Sequence, residues 1–288
     1  MPGSAGALTA FVLAGGGSLG AVEVGMLQAL VEAAIIPDLV VGASVGAINA
    51  VHFGASPDAD GVARLGRIWC RIGRRDVFPL SLARSLHALM ARGDALVSPR
   101  KLRRLLEGYL PCDRLEATAL PVHVVATDLA SGGEAVLSRG PAVDAVLAST
   151  AIPAVFPPMV LGGAHLVDGG IASNTPLAAA ARLGAGRLIV LPTGFSCLAD
   201  PAPHGAVSIA LHALNLLIAR QLVTDLERLR ETLAVHVIPP LCPLARSAYD
   251  FSGTEELIER AAESTRRWLQ SGGLRRREIP GALRPHLH

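Results

Sequence analysis

The chain has 288 residues, 51% apolar and 17% charged, with a mean hydropathy of +0.44, a composition that buries a sizeable core and excludes a disordered chain. Its formal net charge of +2 is too small a bias to argue for a nucleic-acid partner. Lys101, the single lysine, leaves no Gly-Lys-Ser/Thr phosphate loop, and Cys70, Cys112, Cys197 and Cys242 form no Cys-x-x-Cys pair, so neither a metal site nor a cofactor is expected.

In chain order, residues 9–14 read as a buried strand running into a glycine turn, and 21–34 as a helix with Val24, Leu27, Leu30 and Val31 on one face. A second strand at 39–41 meets another glycine turn and an apolar helix over 45–53. Further strands are predicted at 121–126, 135–137, 165–167, 187–191 and 235–238. Helices are predicted at 60–74, 99–109, 142–149, 176–183, 207–233 and 254–269, with 78–94 a candidate cap over the site. Apolar strands alternating with helices imply an α/β fold of three layers, α/β/α, with a mainly parallel central sheet. Residues 8–192 form the expected catalytic core, 193–272 pack on the same domain, and 273–288 make a flexible tail. Uncharged windows at 39–57 and 145–167 are broken by Gly, Pro, Asn or Ser and read as core, not membrane spans. No signal peptide is read at the N-terminus, and a cytoplasmic chain with peripheral membrane association is expected. The sequence leaves the oligomeric state open.

Three motifs carry chemistry. Gly42-Ala43-Ser44-Val45-Gly46 stands between a strand and a helix, which is the setting of the G-x-S-x-G nucleophile elbow. Ser44 at the helix start, flanked by the small Gly42 and Gly46, is the candidate nucleophile. Gly15-Gly16-Gly17-Ser18-Leu19-Gly20 offers converging N–H groups, and Gly15, Gly16 and Gly17 are the candidate oxyanion donors. The same letters match the dinucleotide fingerprint G-x-G-x-x-G, but Asp38 precedes the second strand where that fingerprint wants an acid at its end. Asp168-Gly169-Gly170 puts a carboxylate on a glycine turn after a strand, where it can reach a neighbouring elbow serine. By itself, Asp-Gly is a common turn pair.

Taken together and in this order, the motifs resemble the patatin-like phospholipase family over residues 9–191. The likeness extends to residues 125–129 and 148–158 and to Asn174 and Pro176 beside the Asp168 turn. The resemblance implies a Ser44–Asp168 dyad in place of a triad, an oxyanion hole from the glycine turn, and ester substrates with fatty acyl chains. Members often carry Arg or Lys where this chain has Ser18, a departure that removes a cationic side chain from beside the oxyanion or a lipid phosphate.

A carboxylate base needs a raised pKa, so an apolar wall beside Asp168 is expected, with residues 152–159 the candidate lining. A triad would instead draw on His204, His212 or His236; none sits in a recognisable catalytic loop, and alternation puts His165 opposite Leu166. Arg64, Arg67, Arg71 and Arg74 fall at helical spacing beside Trp69, a stripe that reads first as a solvated helix face and only second as a docking face for anionic lipid headgroups. The function expected is a serine lipid acyl hydrolase acting through an acyl-enzyme. The alternatives are a catalytically idle lipid-binding or regulatory module and a nucleotide-binding Rossmann-type protein.

Overall fold

The structure is a computed structural model that describes residues 7–77, 97–153, 155–194, 206–244 and 246–283. The candidate cap at 78–94, Cys197, His204 and the side chain of His212 lie outside the described parts. The strands are β1 (Leu8–Leu13), β2 (Leu39–Ala43), β3 (Val122–Asp128), β4 (Glu134–Leu137), β5 (Met159–Leu161), β6 (Ala164–Val167), β7 (Ala185–Leu191) and β8 (Ala234–Val237). The helices are α1 (Gly20–Glu32), α2 (Val45–Ala55), α3 (Ala59–Arg71), α4 (Arg74–Val77), α5 (Arg100–Tyr109), α6 (Ala142–Ser149), α7 (Gly170–Ser173), α8 (Leu177–Arg182), α9 (Ala206–Leu229) and α10 (Thr254–Gln270).

One sheet holds all of these strands, with β3, β2, β1, β7 and β8 parallel and running out to β8 at one edge, and β4, β5 and β6 antiparallel at the other side. Near-continuous apolar runs such as Leu39-Val40-Val41 form strands here because both faces are covered. Alternation then sorts them. Val40 joins Phe11, Leu13 and Ile189 in a core under α1, α2, α3, α5, α6 and α10, while Leu39 and Val41 join Val12 and Val190 under α8 and α9. The fold is thus the expected α/β/α sandwich.

The differences from the sequence reading have local causes. The first helix stops at Glu32 because Ala34 takes a left-handed turn, φ 54°. The helix expected over 60–74 breaks after Arg71, where Ile72 turns extended, and a short α4 follows. Residues 273–283, expected as part of a flexible tail, fold back through two 3-10 turns. Leu283 is buried and Ile279 packs beside it on the α8–α9 core, an apolar anchor outweighing the polar Arg275-Arg276-Arg277 run.

The pairing of β3 is what builds the site. Val124 and Val125 pair with both β2 and β4, and Thr127 pairs with both β4 and β6. A strand has two edges, so β4 holds one, and β2 and β6 share the other. Where β2 leaves that edge at Ala43, β6 takes it over from the opposite direction. The first residue after β2 and the first residue after β6 therefore meet.

Candidate active site

Ser44 follows β2 and Asp168 follows β6, and the shared edge brings them together: Ser44 Oγ donates to Asp168 Oδ2 at 2.7 Å. Ser44 has φ 52° and ψ −125°, outside the comfortable region for a residue with a side chain, the strain expected of a sharp strand-to-helix reversal. Gly46 permits that reversal, since a Cβ there would lie 2.5 Å from the Leu13 carbonyl oxygen, and Gly42 backs onto the Gly46 carbonyl.

Buried hydrogen bonds fix each partner. Ser149 Oγ accepts from the Ser44 N–H at 2.8 Å and donates to the Val125 carbonyl at 2.6 Å, tying the elbow to β3. The Asp168 N–H donates to Ala151 O and the Gly169 N–H to Ser149 O, while Thr127 Oγ1 donates to Asp168 O at 2.8 Å. The Gly170 N–H donates to Asp168 Oδ1 at 2.7 Å, leaving Oδ2 for the serine. Burial pushes the Asp168 carboxyl up to about 6, partly opposed by the hydrogen bonds from Ser44 and from the Gly170 N–H. A carboxylate at that value can accept a proton near neutrality.

The glycine turn abuts the serine: a Cβ on Gly15 would stand 3.1 Å from Ser44 Cβ. Gly15 differs from its expected role as an oxyanion donor, because its N–H already donates to Asn174 O at 2.8 Å. Its carbonyl accepts from Asn174 Nδ2 and Thr193 Oγ1, so Gly15 anchors the turn. Gly16 and Gly17 N–H groups pair with no acceptor among the described residues, and Gly17, at φ 58°, faces the same cavity as Ser44. Ser18 is buried and turns away: its N–H donates to Ala248 O at 2.8 Å and its Oγ to Ser247 O at 3.2 Å.

Ser44 opens into a pocket of about 780 Å³ including its mouth, walled almost wholly by apolar side chains. Ile152 and Phe156 line it beside Ser44, from the stretch expected as lining. Leu65, Ile68, Trp69 and Ile72 come from α3 and its end, Val77 from α4, and Leu102, Leu105, Leu106 and Tyr109 from α5. His52 is also in the wall; burial, aided by the charge of Arg64, lowers it to about 4 and keeps the imidazole neutral. Among the described residues no cluster of three His, Cys, Asp or Glu side chains could hold a metal, and no helix is long and apolar enough to cross a membrane.

The model of the patatin-like phospholipase family matches residues 11–181. This chain belongs to that family. Among its relatives is an uncharacterized NTE family protein of Mycobacterium tuberculosis, 30% identical over 173 residues, which are 60% of this chain and 28% of that protein. The Drosophila melanogaster neuropathy target esterase sws is 26% identical over 67% of this chain and 13% of its own length. The chain thus spans under a third of these curated relatives. Human GIVD cytosolic phospholipase A2, solved with methyl gamma-linolenyl fluorophosphonate, shares the fold over 93% of this chain and 58% of that one, with a TM-score of 0.51 and 14% identity.

The rival readings separate on geometry. Asp38 Oδ2 accepts from the Thr9 N–H at the start of β1, the end of the sheet opposite the glycine turn, so it cannot meet a nucleotide held there. His236 is buried with Nδ1 on the Arg276 carbonyl, and His165 is exposed on the far side from the buried Leu166. Three features escaped sequence reading: the Ser149 anchor, the Gly15 brace and a buried polar link behind the site. In that link Trp69 Nε1 donates to Asn49 Oδ1 at 2.9 Å, and Asn49 Nδ2 donates to Glu23 Oε2 at 2.7 Å and Gly20 O at 3.0 Å. Burial holds the Glu23 carboxyl well above its ordinary value, partly opposed by the hydrogen bond from Asn49. Ser149 stood inside the 148–158 segment, yet nothing in one sequence tells a buried serine that accepts an elbow N–H from a small core residue.

Proposed function

We propose that the chain is a serine lipid acyl hydrolase in which Ser44 is the nucleophile and Asp168 its base. The observation that carries the reading is the 2.7 Å hydrogen bond to the buried Asp168 carboxylate from Ser44 Oγ, whose residue lines an apolar pocket. Family membership and the relation to an esterase support ester-bond chemistry.

In this mechanism the acyl chain lies in the pocket and the ester carbonyl rests over Ser44. Ser44 Oγ attacks the carbonyl carbon as its proton passes to Asp168 Oδ2. The Gly16 and Gly17 N–H groups receive the oxyanion, and a donor in such a place is worth about 100- to 1000-fold in rate. Collapse breaks the ester C–O bond, and Asp168 returns the proton to the departing alcohol. Water then attacks the acyl-enzyme with its proton taken by Asp168, releasing the fatty acid and restoring Ser44. Two groups suffice because the carboxyl reaches Ser44 directly and burial raises its basicity, which removes the need for an intervening imidazole.

The test is hydrolysis of a medium-chain p-nitrophenyl ester by the wild type, Ser44→Ala and Asp168→Asn, with fluorophosphonate labelling mapped by mass spectrometry. Turnover by the wild type alone, with the label on Ser44, is the expected result. A folded wild type that neither turns over nor labels overturns the proposal and moves the protein to a lipid-binding or regulatory role.

A further inference from the structure

α3 and α5 are the outer wall of the pocket, and each has two unlike faces. On α3, Val62, Leu65 and Trp69 point inward and are buried, while Arg64, Arg67 and Arg71 share the exposed side. On α5, Leu102 and Leu106 point inward, with Arg100 and Arg104 exposed. Residues 59–77 and 97–110 hold nine cations and three acids, a surplus of six positive charges in a chain whose net charge is +2. The balance of the chain is therefore acidic, and the positive charge is gathered over the pocket.

Most of these cations have no acidic partner among the described residues. Arg103 pairs with Asp144 at 2.7 Å and lies 4.0 Å from Glu107, but the other eight meet no carboxylate among the described residues. A helix that merely needs to be wet solves the problem differently. In α10, Arg260 pairs with Glu256, Arg267 with Glu263, and Arg266 with Glu32 of α1. Like charges gathered on two helices that line one pocket repel one another, and a counter-surface of opposite sign relieves that repulsion.

We propose that the exposed faces of α3 and α5 dock the protein onto an anionic lipid surface, bringing the mouth of the Ser44 pocket to the acyl chains it takes in. Only the orientation rests on the acyl-hydrolase reading; the docking itself rests on the charge. The apolar sides of both helices are already used against the pocket, so the attraction is electrostatic, of the polybasic kind, and weakens with salt. Each basic residue near such a surface contributes about 1 kcal/mol, close to a fivefold change in binding.

The experiment measures partition of full-length Ser44→Ala onto phosphatidylcholine vesicles with and without phosphatidylglycerol, where binding is read without hydrolysis. Binding is expected only with the anionic lipid. Arg64→Gln, Arg67→Gln and Arg71→Gln together should weaken it roughly 100-fold, while Arg260→Gln with Arg267→Gln should leave it unchanged. In the catalytic background the triple variant should hydrolyse a soluble butyrate ester as the parent does. Equal binding to neutral and anionic vesicles, a triple variant that binds like its parent, or displacement by a short DNA duplex at equal affinity overturns the docking. Loss of ester hydrolysis by the wild type with anionic binding intact would instead remove the acyl-hydrolase reading and leave the docking in place.

Discussion

The floor and the outer wall of the pocket are built on opposite principles. The floor consists of backbone and short polar atoms: the glycine turn, the elbow, and the Asp168 turn, all held by buried hydrogen bonds. The wall consists of side-chain bulk and charge on α3 and α5, with few polar contacts inward. Backbone geometry cannot be traded residue for residue, whereas bulk and charge can be exchanged in small steps. Chemistry should therefore be fragile at the floor, and specificity and location adjustable at the wall.

The largest effects belong to the floor. Ser44→Ala should lower kcat/KM on a p-nitrophenyl ester by on the order of 10⁴-fold or more, since members of such a unit fail together. Asp168→Asn should fall into the same range. A well-folded variant of either kind that keeps a tenth of the activity would dissolve the distinction between floor and wall.

Ser149→Ala tests whether the floor depends on positioning. The change strands the Ser44 N–H and the Val125 carbonyl, two buried groups whose loss of partners costs about 1–3 kcal/mol each. We expect a lower melting temperature and a kcat reduced about 10- to 100-fold, because a misplaced nucleophile loses orientation. Ser149→Cys or Ser149→Thr, if it restores the bond to the Ser44 N–H, should recover kcat; a purely structural role would recover stability alone.

Asp168 gives the pH prediction, with two signs. Its proton must be absent for Ser44 to be activated, so kcat/KM should rise about tenfold per pH unit up to about 6 and then level off. For stability, the folded-state value lies above the ordinary 3.8, so the folded chain holds this proton more tightly than the unfolded chain. Stability is therefore lost as pH rises from about 4 to 6. At pH 8, Asp168→Asn should gain up to about 3 kcal/mol relative to its standing at pH 3.5, measured as the difference from wild type in urea unfolding. Subtracting the wild type matters because His52 runs the other way. Its value is lowered to about 4, so it loses stability as pH falls below 6.5 and masks the Asp168 term in a single curve.

Floor and wall also differed in how far the sequence disclosed them. Ser44, Asp168 and the glycines announce themselves because a reversal at Ser44 or a left-handed Gly17 needs particular residues at particular spacings. The alternating strands made the layered fold legible for the same reason. What stayed hidden depends on pairing across distant stretches. β5 is three residues inside one long apolar run, and the sharing of a β3 edge by β2 and β6 is a matter of register. Gly15 illustrates the limit. Its letter fits an oxyanion donor, and only the approach of Asn174, 159 residues away, shows the N–H to be occupied. The far side of the pocket was equally hidden: Phe156 falls in the 152–159 stretch expected as lining, but Leu65 and Leu102 are ordinary apolar helix positions in the sequence, and only packing sets them across the space from it.

The smallest effect tests the wall as a device for choosing substrates. Leu105 is half-buried in α5 and lines the pocket among residues that do not touch Ser44's hydrogen-bond network. Leu105→Phe adds volume comparable to one methylene and excludes about that much acyl chain. Burying one methylene is worth about 0.8 kcal/mol, so kcat/KM for a chain long enough to fill the pocket should drop roughly fourfold. A butyrate ester too short to reach the wall should keep its rate, which makes the ratio of the two esters the quantity to measure. The ratio also separates two ways in which the comparison could fail. If both esters slow equally, the wall transmits strain to the elbow and the two regions form one unit. If neither slows, acyl chains take another path from Ser44, and the pocket's apolar lining serves packing instead of recognition.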